Sequence, residues 1–242
     1  RRINFMANKT NFTIIIFTIL AMTYSCSEAS GSGAFKLVLS GSVHGQLDPC
    51  GWKKNPLGGL SRKYVKIQEM IKQGSDPLIV DAGDLFFSTK KLESWNKKSE
   101  EFRAKSILNG YARIGYDIIN IGQYEVINGL TFLKSVTKDS DINFISANLR
   151  DSKTGALIFK PYHIFQRGGL NIGVIGVTDM LPDTSKSIIA DDYIEVCRKY
   201  AKELSSNVDL VIALINAERA NQTKLAEKFD DVDFIITSGS TN

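Results

Sequence analysis

The chain has 242 residues, 43% of them hydrophobic and 23% charged, which excludes bulk disorder and supplies apolar material for one large or two small domains. Its formal net charge of +4 is mild. The lysines fall as scattered pairs (Lys53 and Lys54, Lys90 and Lys91, Lys97 and Lys98) rather than as one basic block, so nucleic acid is not expected as a partner. Two histidines in the whole chain leave few imidazoles for a metal centre.

Arg1, Arg2 and Lys9 precede the apolar run FTIIIFTILAM at 12–22, and Met6 reads as the translation start. Eleven residues fall short of the roughly 20 a membrane-spanning helix needs and match the core of a secretory signal. Ser25-Cys26 then reads as a lipoprotein cleavage site with Cys26 the lipidated first residue, and the Ser/Gly-rich stretch that follows as a linker. The expected organisation is a signal segment at 1–26, a linker at 27–33 and one domain at 34–242 that stops short of its full length. This places the protein in a bacterial cell envelope, facing the periplasm, lipid-anchored or secreted. Cys50 and Cys197 remain in the mature chain and are expected as unlinked thiols.

From residue 34 the chain alternates. Seven apolar runs (34–40, 77–83, 116–122, 142–148, 171–177, 208–215 and 232–239) predict strands, and the stretches 60–72, 98–114, 129–137, 191–206 and 220–229 predict helices. In the first helix, Tyr64, Ile67 and Ile71 recur at helical spacing and predict its buried face. Most strands lack polar alternation, so both sheet faces are expected to be covered. In such α/β folds the chemistry gathers at the carboxyl ends of the strands. There the sequence places SGSVHG (40–45), VDAGD (80–84), GQYE (122–125), INAE (215–218) and SGSTN (238–242).

This ordered set, with the phrases NPLGGLSRKYVKI, ISANL and LNIGVIGVTD, resembles the calcineurin-like metallophosphoesterases, and within them the periplasmic 5′-nucleotidase and UDP-sugar hydrolase family. The resemblance runs from Lys36 to Asn242. It implies a four-layer sandwich of two mixed β-sheets flanked by helices, with two divalent metals (manganese, zinc or magnesium) at the strand ends. Such a pair activates water and clamps a phosphate.

Set against that family's pattern, His44 and Asp84 keep their identities. Ser42 stands for a ligand Asp, Gln123 for Asn, Tyr124 for the catalytic His, Ile127 for the Asp that orients it and Asn216 for a mid-domain His. Ser240 stands for a further His, and Asn242 ends the last motif. His44, Asp84, Gln123, Asn216 and Asn242 are therefore vestigial ligand candidates, fitted to no metal or at most one. Tyr124, with an ordinary pKa near ~10, is a poor proton donor at neutral pH in place of His.

Residue by residue, other roles stay open. His44 also fits a hydrogen-bonded structural histidine, and Asp84 a helix N-cap. Glu125 and Glu218 are expected to be solvated or to brace loops, and His163 to be structural. Cys50, on the loop after His44 with Lys53 and Lys54 beside it, is the candidate reactive thiol, against the plain alternative of a packing residue. Trp52 stands where similar envelope proteins carry a second cysteine. The functional expectation is a catalytically impaired, 5′-nucleotidase-like lipoprotein that binds a nucleotide or other phosphate ester, or an envelope protein partner. The alternative is an active phosphohydrolase with a rearranged or mononuclear site.

Overall fold

The computed structural model describes residues 33–51, 57–183 and 185–239. The signal-segment reading, Cys26, Trp52, Lys53, Lys54, Ser240 and Asn242 lie outside the described residues. In chain order the elements are β1 (Leu37–Ser40), α1 (Leu60–Lys72), β2 (Leu78–Asp81), α2 (Lys97–Ile114), β3 (Ile118–Asn120), α3 (Gly129–Thr137), β4 (Asn143–Ile145) and β5 (Leu149–Asp151). There follow β6 (Tyr162–Arg167), β7 (Leu170–Thr178), β8 (Ile188–Ala190), α4 (Tyr193–Ser205), β9 (Leu210–Asn216), the short α5 (Arg219–Gln222) and β10 (Phe234–Ser238). No described helix is long and apolar enough to cross a membrane.

Two four-stranded sheets, in the orders β1-β2-β3-β4 and β10-β9-β7-β6, face each other, with β5 and β8 as a separate pair. The first is wholly parallel among the described residues. The second is mixed, because β6 returns antiparallel to β7 through Gly168 and Gly169. The expectation of two mixed sheets is thus corrected for the first. Its strands are joined by connections that contain the crossover helices α1, α2 and α3, which returns each strand parallel to the last.

Three cores make four layers. Leu78, Val80 and Ile118 of the first sheet meet Val174, Ile212 and Leu214 of the second in the middle. On the outer side, Ile79 and Ile119 pack against Ile67, Ile107 and Tyr111 of α1 and α2. On the opposite side, Val211, Ala213 and Ile215 pack against Cys197, Ala201 and Leu204 of α4. Residues 78 to 80 and 211 to 215 thus alternate between two apolar environments, which is why these strands read as continuous hydrophobic runs.

Three predicted details change. Tyr64 and Ile71 are exposed and only Ile67 of that trio is buried, because Lys63 rather than Tyr64 turns inward. The stretch 220–229 is α5 followed by a single 3₁₀ turn, since only Leu225 and Phe229 find a core. Asp84 caps no helix, the next one starting at Lys97.

Candidate functional site

The carboxyl ends of β1, β2, β3, β9 and β10 converge. The loop after β1 runs alongside the loop after β2, with the Ser42 N–H bonded to Gly83 O (2.9 Å), His44 N–H to Asp84 O (2.9 Å) and Gly45 N–H to Leu85 O (2.7 Å). Ser42, His44 and Asp84 are the non-glycine residues with positive φ among the described residues, at 53°, 49° and 61°. That conformation strains an L side chain and persists only where surroundings impose it.

Glu125 is the imposing group. Fully buried, its carboxyl accepts the N–H groups of Asp84 (2.9 Å), Leu85 (2.5 Å), Phe86 (3.1 Å) and Gly122 (2.7 Å). Burial and the neighbouring Asp84 push its pKa up to about 8, against the four donors, which favour the anion. Glu125 is thus loop-bracing and not solvated. Gly122 permits the convergence: a Cβ there would lie 2.8 Å from Asn216 Cγ, Asp84 N and Asp84 Oδ1 alike.

The remaining candidates separate into engaged and unengaged atoms. Asn216 is engaged at both ends, its Oδ1 accepting the Gln123 N–H (2.9 Å) and its Nδ2 donating to Ser238 Oγ (2.7 Å). Ser42 Oγ accepts from Gly239 N (3.0 Å) and faces Gly239 O (3.1 Å). Asp84 Oδ1 accepts the Tyr124 N–H (3.0 Å). By contrast Asp84 Oδ2 and His44 Nδ1 are buried without a partner. Burial raises the Asp84 pKa and lowers that of His44, the latter partly offset by Asp84. The His44 ring stands edge-on to Tyr124, centroids 4.4 Å apart. Burial and Asp84 also raise the Tyr124 phenol further from neutrality.

The described donors do not by themselves fit a pair of divalent cations. Among the described residues no cluster of three His, Cys, Asp or Glu side chains is placed to hold a metal, and the neutral Ser42 and Asn216 are committed to the protein's own loops. Cys50 is exposed and shares a cavity of about 280 Å³ with Ser42, Gln46 and Lys63, beside the site. Its backbone pairs with Leu57 in both directions (2.8 and 2.7 Å). Glu218 precedes α5, and His163 lies in β6 against Phe165, away from the strand ends.

Sequence reasoning missed a ring of polar groups behind the Asp84 turn. Lys63 Nζ donates to Tyr111 Oη (3.2 Å) and Tyr116 Oη (2.8 Å). Tyr111 Oη donates to Asp81 Oδ2 (3.0 Å); Tyr116 Oη meets Ser40 Oγ (2.8 Å), which donates to the same oxygen (2.5 Å). The other Asp81 oxygen accepts the Gly83 N–H (2.9 Å) and so helps set the turn that carries Asp84. The available signal was a carboxylate closing the apolar strand LIVD.

No protein-family model matches the chain. It is 25% identical to a snake venom 5′-nucleotidase of Gloydius brevicauda over 246 aligned residues, covering 94% of this chain and 40% of that protein. A 5′-nucleotidase of Vibrio cholerae is 33% identical over 114 residues (47% of this chain, 19% of that protein), and Protein UshA of Escherichia coli 34% over 120 (49% and 20%). The chain thus spans two fifths or less of the length of these relatives. Among solved structures, the 5′-nucleotidase precursor of Thermus thermophilus superposes with a TM-score of 0.69 at 23% identity, covering 84% of this chain and 41% of that one. Calcineurin-like phosphoesterase YfkN of Bacillus subtilis gives 0.64 at 21%, covering 84% and 71%. Layer order, strand-end loops and relatives agree: the chain has the fold of the calcineurin-like phosphoesterases and is similar in sequence to 5′-nucleotidases.

Proposed function

We propose that this domain is a bacterial envelope lipoprotein that retains the phosphate-ester site of its fold while lacking dinuclear metal catalysis. The single observation that carries the reading is the engagement of Asn216, whose amide ties two loops together at the position where a ligand is expected. Its supporting companions are Ser42, bound to Gly239, and Tyr124, whose phenol is held above its ordinary pKa. The ligand class is a nucleotide or related phosphate ester, because the named relatives are 5′-nucleotidases. Cys26 would anchor the chain to the membrane, and Cys50, exposed beside the site, would offer a thiol for redox or adduct chemistry. A partner protein of the envelope is an equal candidate for the occupant.

The test is elemental analysis of dialysed protein grown with manganese or zinc, alongside nucleotide binding and hydrolysis. The expected result is well under one metal equivalent, nucleotide binding and no metal-dependent turnover. A second reading, a phosphohydrolase with one metal, is favoured by the two unpartnered atoms, His44 Nδ1 and Asp84 Oδ2. One equivalent lost on His44→Ala together with turnover would establish it, and two tightly held equivalents would overturn both.

A further inference from the structure

The outer helical layer carries a surface that the strand-end site does not use. Along α2 and the turn before it, Trp95, Lys98, Phe102 and Lys105 follow one another at intervals of three, four and three residues, and all four are exposed. Trp95 is 82% exposed and Phe102 71%, exceptional for side chains of that size. On the adjacent α1, Tyr64, Val65 and Ile71 are also exposed, and an apolar groove of about 560 Å³ runs between the two helices, lined by Leu60, Tyr64, Val65, Gly110 and Ile114.

The charge is as uneven as the hydropathy. Together α1 and α2 hold nine lysines and arginines against Glu69, Glu100 and Glu101, and of the nine Lys63 turns inward to the Asp81 ring. Lys97 and Arg103 are paired with Glu101 and Glu100, whereas Lys98 and Lys105, which flank Phe102, enter no described ion pair.

We infer that this α1–α2 face docks on an anionic phospholipid bilayer, with Trp95 and Phe102 in the headgroup boundary and Lys98 and Lys105 on the lipid phosphates. Aromatic and aliphatic side chains beside lysines are the composition of a helix face lying in a membrane interface. Single-stranded nucleic acid would use the aromatics for stacking but has no use for Val65 and Ile71, and it favours a positively charged groove, whereas the groove between these helices is mainly apolar. A second copy of the chain would set two surfaces of like charge against each other. The inference is independent of the Cys26 anchor and of the reading of the strand-end site.

Trp95 reports its own position once the other tryptophan is removed. In the full chain carrying Trp52→Phe and Cys26→Ser, vesicles of phosphatidylglycerol and phosphatidylcholine with brominated acyl chains should quench and blue-shift the emission, and pure phosphatidylcholine should not. Lys98→Glu with Lys105→Glu should weaken the partition roughly ten- to thirty-fold or more, given the attraction of each lysine to an anionic surface. Sedimentation with vesicles while Trp95 stays unquenched would mean attachment by the leader segment and would overturn the proposal. A blue shift that follows protein concentration without lipid, or one produced by oligonucleotide in preference to vesicles, would overturn it in favour of self-association or nucleic acid.

Discussion

Asn216 Oδ1 accepts the backbone N–H of Gln123 at 2.9 Å, so the side chain that closes β9 holds the loop after β3 in place. Asn216→Ala removes that acceptor and the bond to Ser238, leaving a largely buried N–H without a partner. The expected cost is about 1–3 kcal/mol, read as a lowered urea midpoint at unchanged m-value. Asn216→His is expected to lose stability as well and to gain no second metal equivalent, since Ser42 and Gln123 remain. Calorimetry with manganese or zinc checks the second part.

Gly122→Ala should disrupt the site more than its size suggests. A methyl group would meet Asn216 Cγ and two Asp84 atoms at 2.8 Å, all held by buried hydrogen bonds, so the loops must part. Circular dichroism melts should fall, by about 1–3 kcal/mol in stability terms, and nucleotide binding should be lost with them. An unchanged melt would show that the loops yield easily.

Glu125 gives stability a pH dependence with a definite sign. Its pKa rises from an ordinary 4.5 to about 8 in the folded protein, so between those values the folded state holds a proton that the unfolded chain has released. That stabilisation is complete below about 4.5 and is lost as pH rises through about 8, at up to about 1.4 kcal/mol per pH unit. Asp84 and Asp81, also raised by burial, act in the same direction. Urea unfolding from pH 5 to 8 should show the decline. Glu125→Gln should be less stable throughout, since an amide cannot accept from all four donors, but with a flatter profile.

The two cysteines should differ sharply toward iodoacetamide. Cys50 is exposed, whereas Cys197 is fully buried under α4, where burial pushes its thiol up to about 12. Peptide mass spectrometry after sub-stoichiometric labelling should find Cys50 modified and Cys197 protected until denaturant is added. Comparable labelling of both in the native protein would contradict this core packing.

Strands buried on both faces were legible because each residue from 78 to 80 or 211 to 215 must be apolar whichever way it points. β6 was not, because Tyr162, His163, Gln166 and Arg167 lie on an edge strand and dilute its apolar signal. The loops carrying His44, Asp84, Gln123 and Tyr124 were legible as motifs at strand ends. Which of their atoms were already engaged was not, because the partners Gly239 N, Gln123 N and Ser238 Oγ come from distant parts of the chain or from the backbone. The Asp81 ring escaped for the same reason: Ser40, Lys63, Tyr111 and Tyr116 become neighbours only when α1 and α2 settle on the sheet.

The four N–H groups gathered on one Glu125 carboxyl also determine how the site can open. Strained backbone at His44 and Asp84 has no route to relax while that anchor holds, and the loop after β1 is bonded to the loop after β2 and not directly to Glu125. Release of the carboxyl therefore frees both loops together. The amides of Ser42, His44, Gly45, Asp84 and Leu85 should exchange with deuterium as one cooperative group, below the protection of the central strands, and Glu125→Gln should accelerate all five by a common factor.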